Sequence, residues 1–186
     1  MNKHAPTDAE LVTETLAGKS EKFGQLYDRH ARMVRAVVAG VSGDWSAIDD
    51  MTQESFLRAY RNLAKLREPA RFGHWIVGIA RKVASERRRS LRRSRHEVSW
   101  PEVDFSRTEQ GLEIREQLSL VMQRLSRLPE QERTAIHAYF LEQQDANAAA
   151  FLLGLSRSGF HALVQRALAR LATRIECNKA TKNAAQ

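Results

Sequence analysis

The apolar residues of this chain fall in runs at spacings of three and four, the repeat of an α-helix, and its nine glycines and four prolines fall between those runs. The spacing predicts an all-α protein. A first helix is expected from Thr7, where Thr7 and Glu10 form a capping-box pattern and Leu11 and Leu16 carry the apolar side. Beyond a break at Gly18, Phe23, Leu26, Tyr27, Met33, Val34 and Val37 mark a second buried stripe. "VSGDWSAIDD" supplies a turn, and Ile48, Met51, Ser55, Phe56, Ala59 and Leu63 a third helix. Pro69 disfavours helix at Glu68 before it, so a fourth helix is expected afterwards, with Phe72, Trp75, Ile76, Ile79 and Val83 on one side.

The pattern resumes with Ile114, Leu118, Val121, Leu125 and Leu128. Pro129 suits the first turn of the next helix, whose Glu130 and Glu132 complement its positive end. Asp145 is placed to cap a short helix ending at Leu153, Gly154 suits a left-handed C-terminal position, and Ser156 is placed to cap the last long helix. A short helix, a glycine-containing turn and a longer helix make a helix-turn-helix.

Charge divides this helical chain. Residues 81–96, "RKVASERRRSLRRSRH", hold eight cations and one Glu, whereas residues 97–118 hold six acids and two arginines. Opposed sign, with Pro101 and Gly111 among the acids, marks a flexible linker at 96–111 between two small helical domains, 1–95 and 112–175. A disordered tail is expected over 176–186. The whole chain has 30 Lys and Arg against 22 Asp and Glu, a net +8 that favours a polyanionic partner.

The single cysteine, Cys177, forms no internal disulfide, so a reducing cytoplasm is the expected location. "MNKHAPTDAE" lacks the apolar core of a secretory signal, and the longest apolar stretch, "AAAFLLGL", is too short for membrane insertion. Catalysis has little support. The six histidines never fall at metal-ligand spacing, and neither a glycine-rich phosphate loop nor a nucleophile elbow occurs. No enzyme activity, metal or cofactor is expected.

Two stretches carry binding chemistry. The basic run reads either as a solvated helix end or as a phosphate-binding surface; its continuation from a helix bearing Phe72, His74 and Trp75 favours the second, since aromatic faces stack unpaired bases. "DDMTQESFLRAYRNL" reads either as an amphipathic helix with acids in its first turn or, through Gln53, Glu54 and Arg58, as a docking face for a partner helix; residue chemistry leaves both open. Phe56, Tyr60, Phe72 and Trp75 are expected in the core, while Trp100 and Phe105 are candidate anchors within the linker.

Taken in order, "FGQLYDRHARMV", "DDMTQESFLRAYRNL", "RFGHWIVGIARKVASERRRS", an acidic linker, "LSRLPEQERTAIHAYFLE" and "LGLSRSGFHALVQRALARL" resemble the extracytoplasmic-function (ECF) group of bacterial sigma-70 factors. The resemblance covers about residues 7–175 and implies two helical domains, regions 2 and 4. Asp50, Gln53 and Glu54 match the "D-x-x-Q-E" signature of the helix that docks on the β′ clamp helices of core RNA polymerase, with Arg58 beside them. Phe72, Trp75, Ile79, Ala80 and Arg81 match "F-x-x-W-x-x-x-I-A-R". The preceding loop, 64–71, resembles the segment that captures an unstacked minus-10 base. Arg67, Arg71, His74, Lys82, Arg87, Arg88 and Arg89 are the corresponding minus-10 candidates. Lys82 stands where relatives commonly have Asn, exchanging paired donor and acceptor groups for donors alone.

In region 4, Leu128, Pro129 and Arg133 match "L-P-x-x-x-R", and Leu153, Gly154 and Ser156 match "L-G-x-S". Ser156, Arg157, Ser158, His161, Gln165 and Arg166 are the minus-35 candidates. Two positions that are usually cationic hold His161 and Leu163, which thins phosphate anchoring. The resemblance implies a promoter-specificity subunit that binds core polymerase through its β′ and β subunits, binds promoter DNA, and answers to an anti-sigma factor. A stand-alone helix-turn-helix regulator, or a polymerase-binding regulator that does not read promoters, are the competing readings.

Overall fold

The computed structural model describes residues 5–94 and 109–183, with side chains described over 5–93 and 117–172. Every regular element among them is helical. Helix α1 (Asp8–Leu16) starts at the anticipated capping box: Thr7 Oγ1 accepts from the Glu10 N–H and Glu10 Oε2 accepts from the Thr7 N–H. It seals Leu11 and Val12 and ends before Gly18, whose φ of +97° suits a residue without a Cβ. Leu16 is left exposed.

Helix α2 (Glu21–Ser42) is the axle of the molecule and ends at Gly43, again left-handed at φ +72°. Leu26, Met33, Val34 and Val37 are buried as the spacing predicts, but so are Val38, Ala39, Gly40, Val41 and Ser42. A helix end buried on every side needs neighbours on every side. Helices α3 (Ile48–Arg61) and α4 (Phe72–Ser94) cover one flank, and the second half of the chain covers the other. Between α3 and α4 run two single 3₁₀ turns, Leu63–Lys65 and Pro69–Arg71.

The second unit comprises α5 (Glu109–Ser126), α6 (Glu130–Ile136), α7 (Ala146–Leu153) and α8 (Arg157–Asn183), with a π-helical turn at His137–Leu141 extending α6. Pro129 stands at the N-cap of α6, one place before the position expected. Asp145 Oδ1 caps α7 by accepting from the Asn147 and Ala148 N–H groups, and Gly154 closes it at φ +71°. Ser156 Oγ caps α8 by accepting from the Gly159 N–H at 3.0 Å. Phe160, Leu163, Val164 and Ala167 turn inward from α8.

Helix limits depart from expectation at both ends of the second unit. Helix α5 begins at Glu109, inside the stretch assigned to the linker, because Glu109 and Gln110 are good helix formers and an acid suits a first turn. Helix α8 continues to Asn183 instead of giving way to a disordered tail at 176, since "ECNKATKN" contains neither Gly nor Pro to stop it. Trp100, Phe105 and most of the expected linker lie outside the described residues.

Candidate nucleic-acid and polymerase interfaces

Three surfaces collect the expected site residues. On α3, Asp50 and Gln53 are exposed, while Glu54 and Arg58 are half-buried. Arg58 donates through Nε to Glu54 Oε1 at 2.6 Å and through Nη1 to Glu86 Oε2 at 2.8 Å, so it braces the acid and ties α3 to α4. Asp50, Gln53 and Glu54 border a shallow groove floored by Phe23, Tyr27, Phe56, Leu57 and Tyr60. Tyr27, Leu57 and Tyr60 are exposed, although Tyr27 and Tyr60 were expected in the core. Tyr60 instead packs edge-on against Phe23, ring centres 5.0 Å apart, and Tyr27 lies 4.6 Å from Phe56. An apolar floor with an acidic and amide rim matches the composition of a protein interface. The sequence signal for this floor was there in Leu57, which sits out of register with the core stripe of α3.

The second surface surrounds the loop before α4. Lys65, Leu66, Arg67, Glu68, Arg71, His74 and Trp75 line one concavity. Arg67 is exposed, and Arg71 is paired with Glu68 at 2.8 Å. Phe72 is completely buried and offers no face to a base, whereas Trp75 is half-buried at the rim. His74, Lys82 and Arg89 fall along one stripe of α4 by helical spacing, and Lys82 and Arg89 are exposed. Arg87 and Arg88 are drawn elsewhere. Arg87 Nε donates to the buried carboxylate of Asp44 at 2.8 Å, and Arg88 Nη1 reaches the Val41 carbonyl and Glu130 Oε2 of the second unit. Neutralising Asp44, whose side chain is 1% exposed, gives Arg87 a structural task besides any phosphate contact.

The third surface is the open face of α8. Arg157, Ser158, His161, Gln165 and Arg166 are all exposed, and Arg157, His161 and Gln165 follow one another at every fourth position. Ser156 is also exposed, with its hydroxyl engaged in the cap. Leu163 is packed inward and points away from this face. Positive charge here therefore rests on Arg157 and Arg166.

Arg133, matched in sequence only as part of a motif, proves to be a hub. It donates from Nη1 to the Ser126 and Leu128 carbonyls and from Nε to the Gly40 carbonyl of α2. Burial pushes its pKa below the ordinary arginine value, offset in part by Glu130. Nearby, burial and the adjacent Arg133 lower His137 to about 3. Its ring lies 4.3 Å from that of Trp45, and its Nε2 is buried without a hydrogen-bond partner. Among the described residues no group of His, Cys, Asp and Glu is arranged to hold a metal, and no helix is long and apolar enough to cross a membrane.

The described residues thus combine a helical unit bearing an acid-rimmed apolar groove and a basic helix with a helix-turn-helix. Known proteins make this combination specific. Residues 26–94 match the family description "Sigma-70 region 2". The chain is 32% identical over 181 residues to the probable RNA polymerase sigma factor RfaY of Xanthomonas campestris, covering 89% of this chain and 44% of that protein. It is 31% identical to the ECF RNA polymerase sigma factor BldN of Streptomyces coelicolor, covering 88% and 64%. It is 28% identical to the ECF sigma factor SigM of Mycobacterium tuberculosis, covering 91% and 85%. The chain thus spans about half to two thirds of the length of the first two of these relatives. In fold it is similar to CnrH solved with the cytosolic domain of CnrY, at TM-score 0.59 and 24% identity, over 91% of this chain and 97% of that one. The sigma factor RpoE of Bartonella quintana, solved with the anti-sigma factor NepR, gives TM-score 0.55 and 18% identity over 84% and 98%. Residues 26–94 thus carry a sigma-70 region 2, and over most of its length the chain is similar to sigma factors of the ECF group.

Proposed function

We propose that the protein is a promoter-specificity subunit: it binds core RNA polymerase, recognises minus-10 and minus-35 elements, and helps to separate the strands at the minus-10 element. The observation that carries this reading is the presence, in one chain, of the rimmed groove on α3 and an exposed polar face on the long helix of a helix-turn-helix, α8. A stand-alone DNA-binding regulator needs only the second.

Each surface has a task in this scheme. Asp50, Gln53, Glu54 and Arg58, with Tyr27, Leu57 and Tyr60 beneath them, bind the β′ clamp helices, and the second unit contacts the β subunit. Arg67, Arg71, His74, Lys82 and Arg89 line the path of the opened strand, where cations neutralise phosphate and the Trp75 rim meets an unstacked base. Arg157, Ser158, His161, Gln165 and Arg166 face the major groove of the minus-35 duplex. Arg166 and Arg157 serve phosphates or guanine edges, and Gln165 suits adenine. Chemistry stays with the polymerase, and the subunit works by binding and positioning in the cytoplasm. An anti-sigma factor is the regulator that likeness to this group implies.

Co-elution tests the reading. Wild-type protein co-elutes with core polymerase, and reversing charge with Asp50→Lys and Glu54→Lys abolishes co-elution while the variant stays folded, with helical content retained and a melting temperature lowered by no more than a few degrees through the lost Glu54–Arg58 pair. A wild-type chain that binds duplex DNA but never associates with core polymerase overturns the proposal in favour of a stand-alone regulator.

A further inference from the structure

The turn that follows α6 carries none of the site candidates, yet it delivers an aromatic side chain to the flank of α8. At His137–Leu141 the helix widens into a π turn, closed by the Glu142 N–H donating to the His137 carbonyl at 2.9 Å. Single π turns within helices are uncommon and often stand at functional sites. Tyr139, in the middle of this one, reaches across to α8. Its ring centre lies 6.3 Å from that of Phe160 and 6.4 Å from that of His161, edge-on to both. Phe160 is the completely buried residue of the first turn of α8, and His161 beside it belongs to the exposed face. A ring in contact with both stands at the seam where the packed side of α8 gives way to its open side.

Tyr139 is 38% exposed, and none of the described residues bonds its hydroxyl. A tyrosine packed by its ring keeps an apolar body against the protein and a polar end for water or a partner. The face it borders is short of anchors. Positive charge there rests on Arg157 and Arg166, and the Ser156 hydroxyl is engaged in the helix cap. Phe140 and Leu141, exposed beside Tyr139, carry no donor in their side chains. Hydroxyl groups, Tyr among them, share with Arg and Lys the phosphate contacts that fix a protein's register on duplex DNA. A phenol at this seam is therefore a stiff, neutral donor where cations are few.

We propose that Tyr139 is a further promoter-binding residue, whose hydroxyl donates to a backbone phosphate at the edge of the major groove that α8 enters. The inference rests on the function proposed above and adds to it a contact from outside the recognition helix. It carries a signature that separates it from an arginine contact. A neutral donor displaces no condensed counterion, so its loss lowers affinity by the same factor at every salt concentration and leaves the slope of log affinity against log salt unchanged. Tyr139→Phe removes the hydroxyl alone and keeps the ring against Phe160 and His161, so a role confined to packing does not register in it.

The test measures binding of the full chain to a duplex that the wild-type protein enriches from a random-sequence library, and to the same duplex with single phosphates replaced in turn by neutral methylphosphonates. Tyr139→Phe is expected to bind about tenfold more weakly than wild type, with melting temperature and salt slope unchanged. Methylphosphonate at one position should weaken the wild type by a similar factor and Tyr139→Phe hardly at all, which locates the bonded phosphate. Equal affinities of variant and wild type, or the same methylphosphonate losses in both, overturn the contact and leave the promoter reading standing. Tyr139→Phe that co-elutes poorly with core polymerase but binds the duplex as wild type does would also overturn it, assigning the turn to a protein partner. A wild-type chain that enriches no duplex removes the promoter reading itself, and the contact with it.

Discussion

Acid should loosen this protein at one identifiable place. His137 sits at the junction of α6 with the π-helical turn, its ring packed at a tilt against that of Trp45, and burial beside Arg133 lowers its pKa from 6.5 to about 3. The folded protein therefore holds it neutral, whereas a chain in which it reaches water takes up a proton below pH 6.5. Stability contributed by the neutral ring is complete above that value and is lost as pH falls from 6.5 toward 3. At pH 5 the unfolded form is favoured by about 1.5 pH units of linkage, or about 2 kcal/mol at 1.36 kcal/mol per unit. For a chain of this length that corresponds to roughly 4–8 °C in melting temperature. Urea or thermal melts of wild type and His137→Leu at pH 7.5 and 5 provide the assay. Other groups titrate in both proteins, so the difference between them isolates His137. Wild type should lose about 2 kcal/mol more than the variant. Parallel losses would refute the assignment of a buried neutral imidazole.

Other consequences follow from single side chains. Phe160→Ala opens a cavity where α8 meets α6, at a completely buried position, and should cost about 3–5 kcal/mol in urea melts. Ser156→Ala removes the cap on the Gly159 N–H and should cost about 1 kcal/mol, with minus-35 binding lowered through fraying of the helix start. Arg166→Ala should leave melting unchanged but reduce the slope of log affinity against log salt by about 1 on a minus-35 duplex, the signature of one lost phosphate contact. Lys82→Asn should alter which minus-10 bases are preferred, read by competition among single-stranded oligonucleotides, without a matching change in stability.

Local chemistry was the part of the fold most legible in the sequence. The Thr7 and Glu10 capping box, the Asp145 and Ser156 caps and the Gly154 terminus depend on residues within four positions of one another, so spacing alone places them. The helical stripes of α1 to α4 were legible for the same reason. What spacing does not carry is the identity of a distant neighbour. Val38 to Ser42 complete a helix end that is apolar all round, yet only the packing of α6 reveals what covers them. Arg133 enters from the sequence only as part of the L-P-x-x-x-R match, and its task as a buried donor follows from three distant or looped-back carbonyls that converge on it. Tyr27 and Tyr60 fit a core period but lie on the exposed floor of the groove, since a period assigns a face without saying how deeply it is covered. The candidate site divides in the same way. Exposure of the α8 residues followed from helix phase, whereas the diversion of Arg87 to Asp44 and Arg88 to Glu130 required the tertiary structure.

Whether these surfaces direct initiation at promoters is decided by mapping transcription start sites. Purified protein, core RNA polymerase and a fragmented genomic template are combined, and the 5′ ends of the transcripts are determined. A small set of discrete start sites is expected, sharing upstream minus-10 and minus-35 sequences and vanishing with the Asp50→Lys, Glu54→Lys double variant. Initiation no more specific than that of core polymerase alone, with wild-type protein still bound to the enzyme, would contradict the proposed function.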